Sequence, residues 1–315
     1  MKDKTEEEKQ VFDGADEPAA EKAISFRKRL AKTVAADKLA LLSLGVALLF
    51  ILTALLAPFV APHHPDDNFD QFVEPNGYTV DSTDGDVWHA LGTDSYGRDI
   101  LSLVIYGARI SLLVALGTVL FAFSIGSIVG LAAGYYGGMV DDVLMRSMDF
   151  LWTFPTIIIA VAVIAFTGGL GVQNVILAIG IAYIDDFARL IRGEVLSIRE
   201  EPYVMAARTI GMSDWKIMTK EIFPNAIAPM IVQATLLIPL AIIIESILSF
   251  LGLGVSPTTP TWGLLIGQSR DFISFAPYIS IIPGIAIMIT VLAFNMLGDS
   301  VRDAFDVTDQ EVGAR

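Results

Sequence analysis

The stretch EEPYVMAARTIGMSDWKIMTKEIFPN, residues 200–225, is a polar island between two long apolar runs, too long for a tight turn and too regular for a linker. Pro202 suits a first helical position after Glu201, because its missing N–H would be unpaired there in any case. Ala206, Ala207 and Arg208 propagate the helix, and Gly211 can end it in the left-handed conformation. Ser213 or Asp214 can then cap a second helix, whose Trp215, Met218 and Ile222 share one face before Phe223 and Pro224 close it. Two short helices should therefore meet at Gly211, with the small Ala206 and Ala207 exposed where another protein can approach the backbone. Taken alone, the same pattern also describes an interfacial helix-turn-helix that only links two spans.

The flanks decide what kind of chain carries this elbow. Of 315 residues 54% are hydrophobic, and the mean hydropathy is +0.61, too apolar for an ordinary soluble domain. Apolar segments near the ~20 residues needed to cross a hydrocarbon core of about 30 Å lie at roughly 39–61, 111–134, 150–167, 174–191, 228–252 and 278–298. The reading is an all-α integral membrane protein with six transmembrane helices. Residues 1–38 form an acidic tail ending in an amphipathic helix (Ile24, Phe26, Leu30 and Val34 among Arg27, Lys28, Arg29 and Lys32), and 39–61 form the first helix. That first span is too long for a cleavable signal and reads as a retained anchor. A polar loop occupies 62–110, a transmembrane core with the elbow runs through 111–299, and a short tail covers 300–315.

Basic residues in short loops resist translocation, and 18 of the 21 Lys and Arg fall in the tails and alternate loops that share one compartment. Both termini should therefore be cytoplasmic, and 62–110 extracytoplasmic. The net charge of -14 comes largely from nine acids in residues 1–38 and nine in 62–110, which argues against nucleic acid as a partner. A high-salt habitat would account for such surfaces, since the Debye length falls to about 3 Å at 1 M salt. With no Cys, neither disulfides nor thiolate metal sites can form.

Few other residues carry chemistry. His63, His64, Asp66 and Asp67 are ligand types, but four neighbours in an extended loop cannot readily face one ion, so no metal site is expected. Gly126, Gly130 and Gly134 line one face of the second span and permit close helix packing. Pro155 and Pro239 are kink candidates. Asp185 precedes Arg189 by one helical turn and can pair with it. Glu245, among Ile242, Ile243, Ile244 and Ile247, is an ionisable group deep in a span, where a carboxylate costs at least about 2.5 kcal/mol. It must serve helix packing or contact a substrate or proton.

The elbow resembles the coupling loop of ABC importer permeases, usually Glu-Ala-Ala, three residues, Gly, nine residues, Ile, one residue, Leu-Pro. Ala206, Ala207 and Gly211 match it; Ile222, Phe223 and Pro224 resemble its closing element with Phe in the Leu place, and Met205 replaces the Glu. LGTDSYGRDILSLVIYGARISL at 91–112, SFLGLGVSPTTPTWG at 249–263 and FNMLGDSVRDAFD at 294–306 are similar to segments of the second permease chain of dipeptide, oligopeptide and nickel importers. The resemblance covers about residues 26–306. It implies the type I importer fold, a sister permease as heterodimer partner, two ATPase subunits and an extracytoplasmic solute-binding protein. Met205, Ala206, Ala207, Arg208, Gly211, Asp214 and Pro224 would form the ATPase-coupling surface. It also implies a di- or oligopeptide, or a similar solute such as a nickel chelate, as cargo.

Nothing here binds ATP: there is no G-x-x-x-x-G-K-[ST], and no H-E-x-x-H or nucleophile constellation points to catalysis. No cofactor is expected in this chain, with ATP held by the partner subunits. Two other readings remain open at this point. One is an ion-coupled secondary transporter using Glu245, although inverted repeats are not visible; the other is a membrane scaffold that docks a partner at the elbow.

Overall fold

The computed structural model describes residues 38–81 and 85–313, with side chains described at 38–79 and 86–304. The acidic tail and its expected amphipathic helix lie outside the described residues. Helix α1 (Lys38–Leu55) runs into a one-turn helix α2 (Ala57–Val60), which starts with Pro58 in its first turn. The polar loop that follows is not wholly irregular, and the all-α expectation needs one correction. Strands β1 (Gly77–Asp81) and β2 (Gly85–His89) pair antiparallel, with Tyr78 opposite Trp88 and Thr79 opposite Val87. Aromatic and β-branched residues at alternate positions favour such a ribbon.

Helix α3 (Ile100–Tyr136) is 37 residues long, about 55 Å at 1.5 Å per residue. It begins well before the apolar segment read at 111–134. Asp99 caps it: the carboxylate accepts from the Ser102 backbone N–H at 2.8 Å, satisfying a donor that the first turn leaves unpaired.

The expected span 150–167 is divided into α4 (Gly138–Trp152) and α5 (Thr156–Thr167), bent by 98°. Pro155 sits in the break, where it lacks an N–H and disfavours helical geometry at Phe154. The expected span 174–191 is likewise divided at Tyr183 into α6 (Val172–Ala182) and α7 (Ile184–Ile198). Asp185 and Asp186 fall in the first turn of α7, where carboxylates suit the positive end of a new helix.

Helix α8 (Pro202–Thr209) is followed by a single turn α9 (Asp214–Lys216), a π-helical stretch Ile217–Ile222, and α10 (Phe223–Phe250) in continuity. Helix α11 (Trp262–Ser269) and a 3₁₀ turn (Arg270–Phe272) lead to α12 (Tyr278–Gly313), so the helix carries on into the region read as a tail from residue 300. Among the described residues, four helical segments are long and apolar enough to cross a membrane: α1, α3, Asp214–Phe250 and Tyr278–Ala304. They become five if α4 and α5 count as one bent span, against the six expected.

Packing centres on α3. Its glycine stripe meets α7: a Cβ on Gly126 would lie 2.5 Å from the Phe187 Cβ, one on Gly134 2.7 Å from the Val195 Cβ, and one on Gly130 would overlap Ile191 and the Ala188 carbonyl. The two backbones approach closely because nothing projects between them. Phe187, Ile191 and Val195 are fully buried and continue into one cluster with Val204, Ile217 and Ile222 below.

Candidate functional site

The elbow forms where the sequence places it, by identifiable local chemistry. Pro202 occupies the first turn of α8, and the Glu201 carbonyl accepts from Val204 and Met205 at 3.0 and 3.1 Å. At the other end Gly211 has φ +80°. Its N–H donates to the Arg208 carbonyl at 3.0 Å and that of Met212 to the Ala207 carbonyl at 3.1 Å. This pair of bonds is the Schellman arrangement, which requires a left-handed residue at Gly211. Ser213 starts the second helix through its backbone carbonyl, without a side-chain cap.

Three expectations are corrected beyond Gly211. Ala206 is exposed but Ala207 is buried, because it lies beneath the Met212 turn and faces the core. Trp215 does not share a face with Met218 and Ile222; those two are buried with Ile217 while Trp215 points outward. The π-helical winding is the reason, since its wider turn shifts the register of an α-helical face. Pro224 does not close the second helix. The Phe223 N–H reaches back to the Met218 carbonyl, five residues away, and Pro224 then enters the first turn of α10, where it is tolerated.

What emerges is an apolar knob on a rigid base. Along this elbow Tyr203, Met205, Ile210 and Trp215 are 42, 49, 78 and 71% exposed and Ala206 is exposed with them, while Val204, Ala207, Ile217, Met218 and Ile222 are packed in one buried cluster. Exposed apolar side chains grouped on an ordered polar loop mark an interaction surface.

Braces the sequence reading missed tie this knob to the long helices. Tyr135, at the end of α3, donates its hydroxyl to the Asp214 carboxylate at 2.7 Å. The Arg208 guanidinium lies over the same ring, 5.0 Å from its centroid, in cation–π geometry. Asp214 and Arg208 are exposed, and each touches the end of α3 through Tyr135. Arg199, just beyond α7, donates to the Gly134 carbonyl at 2.7 Å, and Arg192 holds Asp141 of α4 with two bonds of 2.5 and 2.6 Å. Tyr135 thus joins α8 and its following turn to α3, and the two arginines join α7 to α3 and α4.

Glu245 lies apart from the elbow, fully buried in α10. Its carboxylate accepts from Ser111 of α3 at 3.0 Å and from Ser249 one turn along at 2.7 Å. Nor do His63, His64, Asp66 and Asp67 converge: the exposed His64 ring lies 3.5 Å from Asp66, while the His63 ring turns the other way, against Phe69 and His89. Asp185 meets Arg189 at 3.7 Å, as its spacing predicts.

Residues 126–307 match the family described as the binding-protein-dependent transport system inner membrane component, and residues 25–76 match the N-terminal transmembrane domain of oligopeptide transport permease C. The chain is 40% identical over 284 residues to the dipeptide transport system permease DppC of Alkalihalophilus pseudofirmus, covering 90% of each. The chain belongs to the ABC importer permeases of the dipeptide and oligopeptide family. The glutathione permease GsiD of Pectobacterium atrosepticum is 40% identical, over 82% of this chain and 83% of its own. The di/tripeptide permease DppC of Pseudomonas aeruginosa is 39% identical, over 89% and 91%. Among solved structures, the inward-facing MetNI methionine ABC transporter aligns with a TM-score of 0.51 at 21% identity, over 64% of this permease and 96% of that chain, a likeness of fold.

This permease is accordingly a membrane transport subunit and not an enzyme, of a family that works with ATPase and binding-protein partners. The relatives lend no support to an ion-coupled carrier working through Glu245.

Proposed function

We propose that this permease carries di- or oligopeptides, or a similarly small peptide-like solute, inward, with the knob on α8 seated in an ATPase subunit. The observation that carries this reading is the knob itself: an apolar surface on a left-handed turn, braced to α3 where Tyr135 meets Asp214 and Arg208. Dipeptide, di/tripeptide and glutathione permeases among its relatives support a peptide-like cargo over a nickel chelate.

The assembly proposed is a heterodimer with a sister permease, two ATPase subunits below and a solute-binding protein outside. Six crossings are proposed, with both termini cytoplasmic; the bent pair α4–α5 supplies one and α6 continuing into α7 another. ATP would act by favouring one of two packings of the spans, and shifting most of the population takes about 5.5 kcal/mol of differential binding. Glu245 fits a packing node better than a substrate contact, because both carboxylate oxygens are already engaged by serines.

Uptake of a radiolabelled dipeptide into vesicles containing the whole assembly tests the reading. Uptake that requires ATP and the binding protein, and is competed by unlabelled dipeptide but not by a nickel chelate, is expected. ATP-independent uptake driven by an ion gradient would overturn it.

A further inference from the structure

The loop after α2, the end of β2 and the cap of α3 bring three ligand-type side chains together. One ligand atom from each of His63, His89 and Asp99 lies within 4.8 Å of the others. His89 and Asp99 are buried and His63 is half-buried, which leaves a way in from solvent.

The surroundings orient each group. Asp99 Oδ2 accepts from the Ser102 hydroxyl at 2.7 Å and from its backbone N–H at 2.8 Å, so Oδ1 is the oxygen turned toward His89 Nδ1, 2.9 Å away. His89 Nε2 lies 3.1 Å from the Thr79 hydroxyl on the paired strand. With its proton on Nδ1 the imidazole donates to Oδ1 and receives the Thr79 hydroxyl at Nε2; with the proton on Nε2 donated to Thr79, the Nδ1 lone pair is open, beside Oδ1, to an ion that takes the place of that bond. Ser102 also accepts from the His63 backbone N–H at 3.0 Å, while the Phe69 ring packs edge-on against both imidazoles with centroids 4.9 and 4.7 Å away. The His63 ring makes no hydrogen bond to another described side chain and lies 5.3 Å from the His89 ring. An imidazole oriented through its second nitrogen, as His89 is, and a carboxylate fixed through its second oxygen are what metal ligands require of their neighbours.

We infer that His63, His89 Nδ1 and Asp99 Oδ1 form a site for a divalent transition ion of the zinc type. Two imidazoles and one carboxylate suit such an ion and not Mg²⁺ or Ca²⁺, which take oxygen ligands. Metal–ligand distances of about 2.0–2.2 Å are reached by drawing His63 inward while His89 and Asp99 separate slightly, and a fourth position stays open to water. The ion would pin the segment leaving α2 and the hairpin to the start of α3.

The whole transporter complex, stripped with a chelator and dialysed, is titrated with zinc chloride and its bound metal measured. His89 and Asp99 support the fold around α3, so the half-buried His63 is the ligand to remove. Wild type should bind about one zinc ion more than the His63→Ala complex, while His64→Ala, altering the exposed neighbour, should bind as wild type does. Thr79→Val, which removes the partner of Nε2, should weaken binding about 10- to 100-fold with the complex otherwise intact. Equal zinc content in wild type and His63→Ala, loss of the ion in His64→Ala, or unchanged affinity in Thr79→Val would each overturn the site.

Discussion

At Gly211 a backbone angle, φ +80°, decides how the elbow is aimed, and no side chain crowds it: nothing lies within 4 Å of where a Cβ would stand. Substitution there acts through conformation alone. Gly211→Val should cost roughly 1–2 kcal/mol in local conformation and misdirect the helix beyond it. The variant should insert and pair with its sister permease yet lose most ATPase co-purification and uptake, while Thr209→Ser on the same helix keeps both. Normal coupling in Gly211→Val would leave a plain interfacial loop. Tyr135→Phe deletes the bond to Asp214 but keeps the ring under Arg208, removing about 1 kcal/mol. Faster hydrogen exchange confined to α8 and its following turn is the expected signature. Glu245→Gln keeps a polar partner for Ser111 and Ser249, and most transport should survive. Glu245→Leu leaves those buried hydroxyls unpaired, at about 1–3 kcal/mol, and should lower thermal stability. Loss of transport in Glu245→Gln with ATPase docking intact would move this residue from packing to the gate.

Helices show where sequence patterns suffice and where they fail. Gly126, Gly130 and Gly134 were legible as a packing face because a spacing of four repeats on one side of a helix, but nothing in the spacing named α7 as the partner. Gly130→Ala should therefore disturb the α3–α7 contact and lower the thermal midpoint, whereas Gly193→Ala, with open space around it, should leave it level or raise it. Equal midpoints would mean that α3 and α7 are not so closely packed. Pro202 and Gly211 announced α8 because each restricts its own backbone. The π-helical stretch after it was not legible: one additional residue per turn is invisible to an α-helical wheel, and Trp215 was placed on the wrong face for that reason. The break at Pro155 was legible as a kink because proline restricts its own backbone, whereas the one at Tyr183 was missed, since hydropathy averages over a window longer than the break. The Tyr135–Asp214 brace joins residues 79 apart, a pairing that local spacing cannot reveal.

The whole molecule combines a basic-residue asymmetry and a braced knob with membership of a family that works with ATPase partners. In the proposed orientation the knob at 200–225 lies on the same side as both termini, opposite the loop that carries the β1–β2 hairpin. A reporter fused after Arg315 should be cytoplasmic, and one inserted at Asn76 should be outside. The chain contains no cysteine, so single introduced thiols report contacts without background. In the assembled transporter, Ala206→Cys, at the exposed centre of the knob, should form a crosslink to an engineered cysteine in the ATPase cleft in good yield and with dependence on bound nucleotide, and Asn76→Cys should form none. Absence of any ATPase crosslink from Ala206→Cys in an active complex, or its appearance from Asn76→Cys, would contradict the coupling assignment.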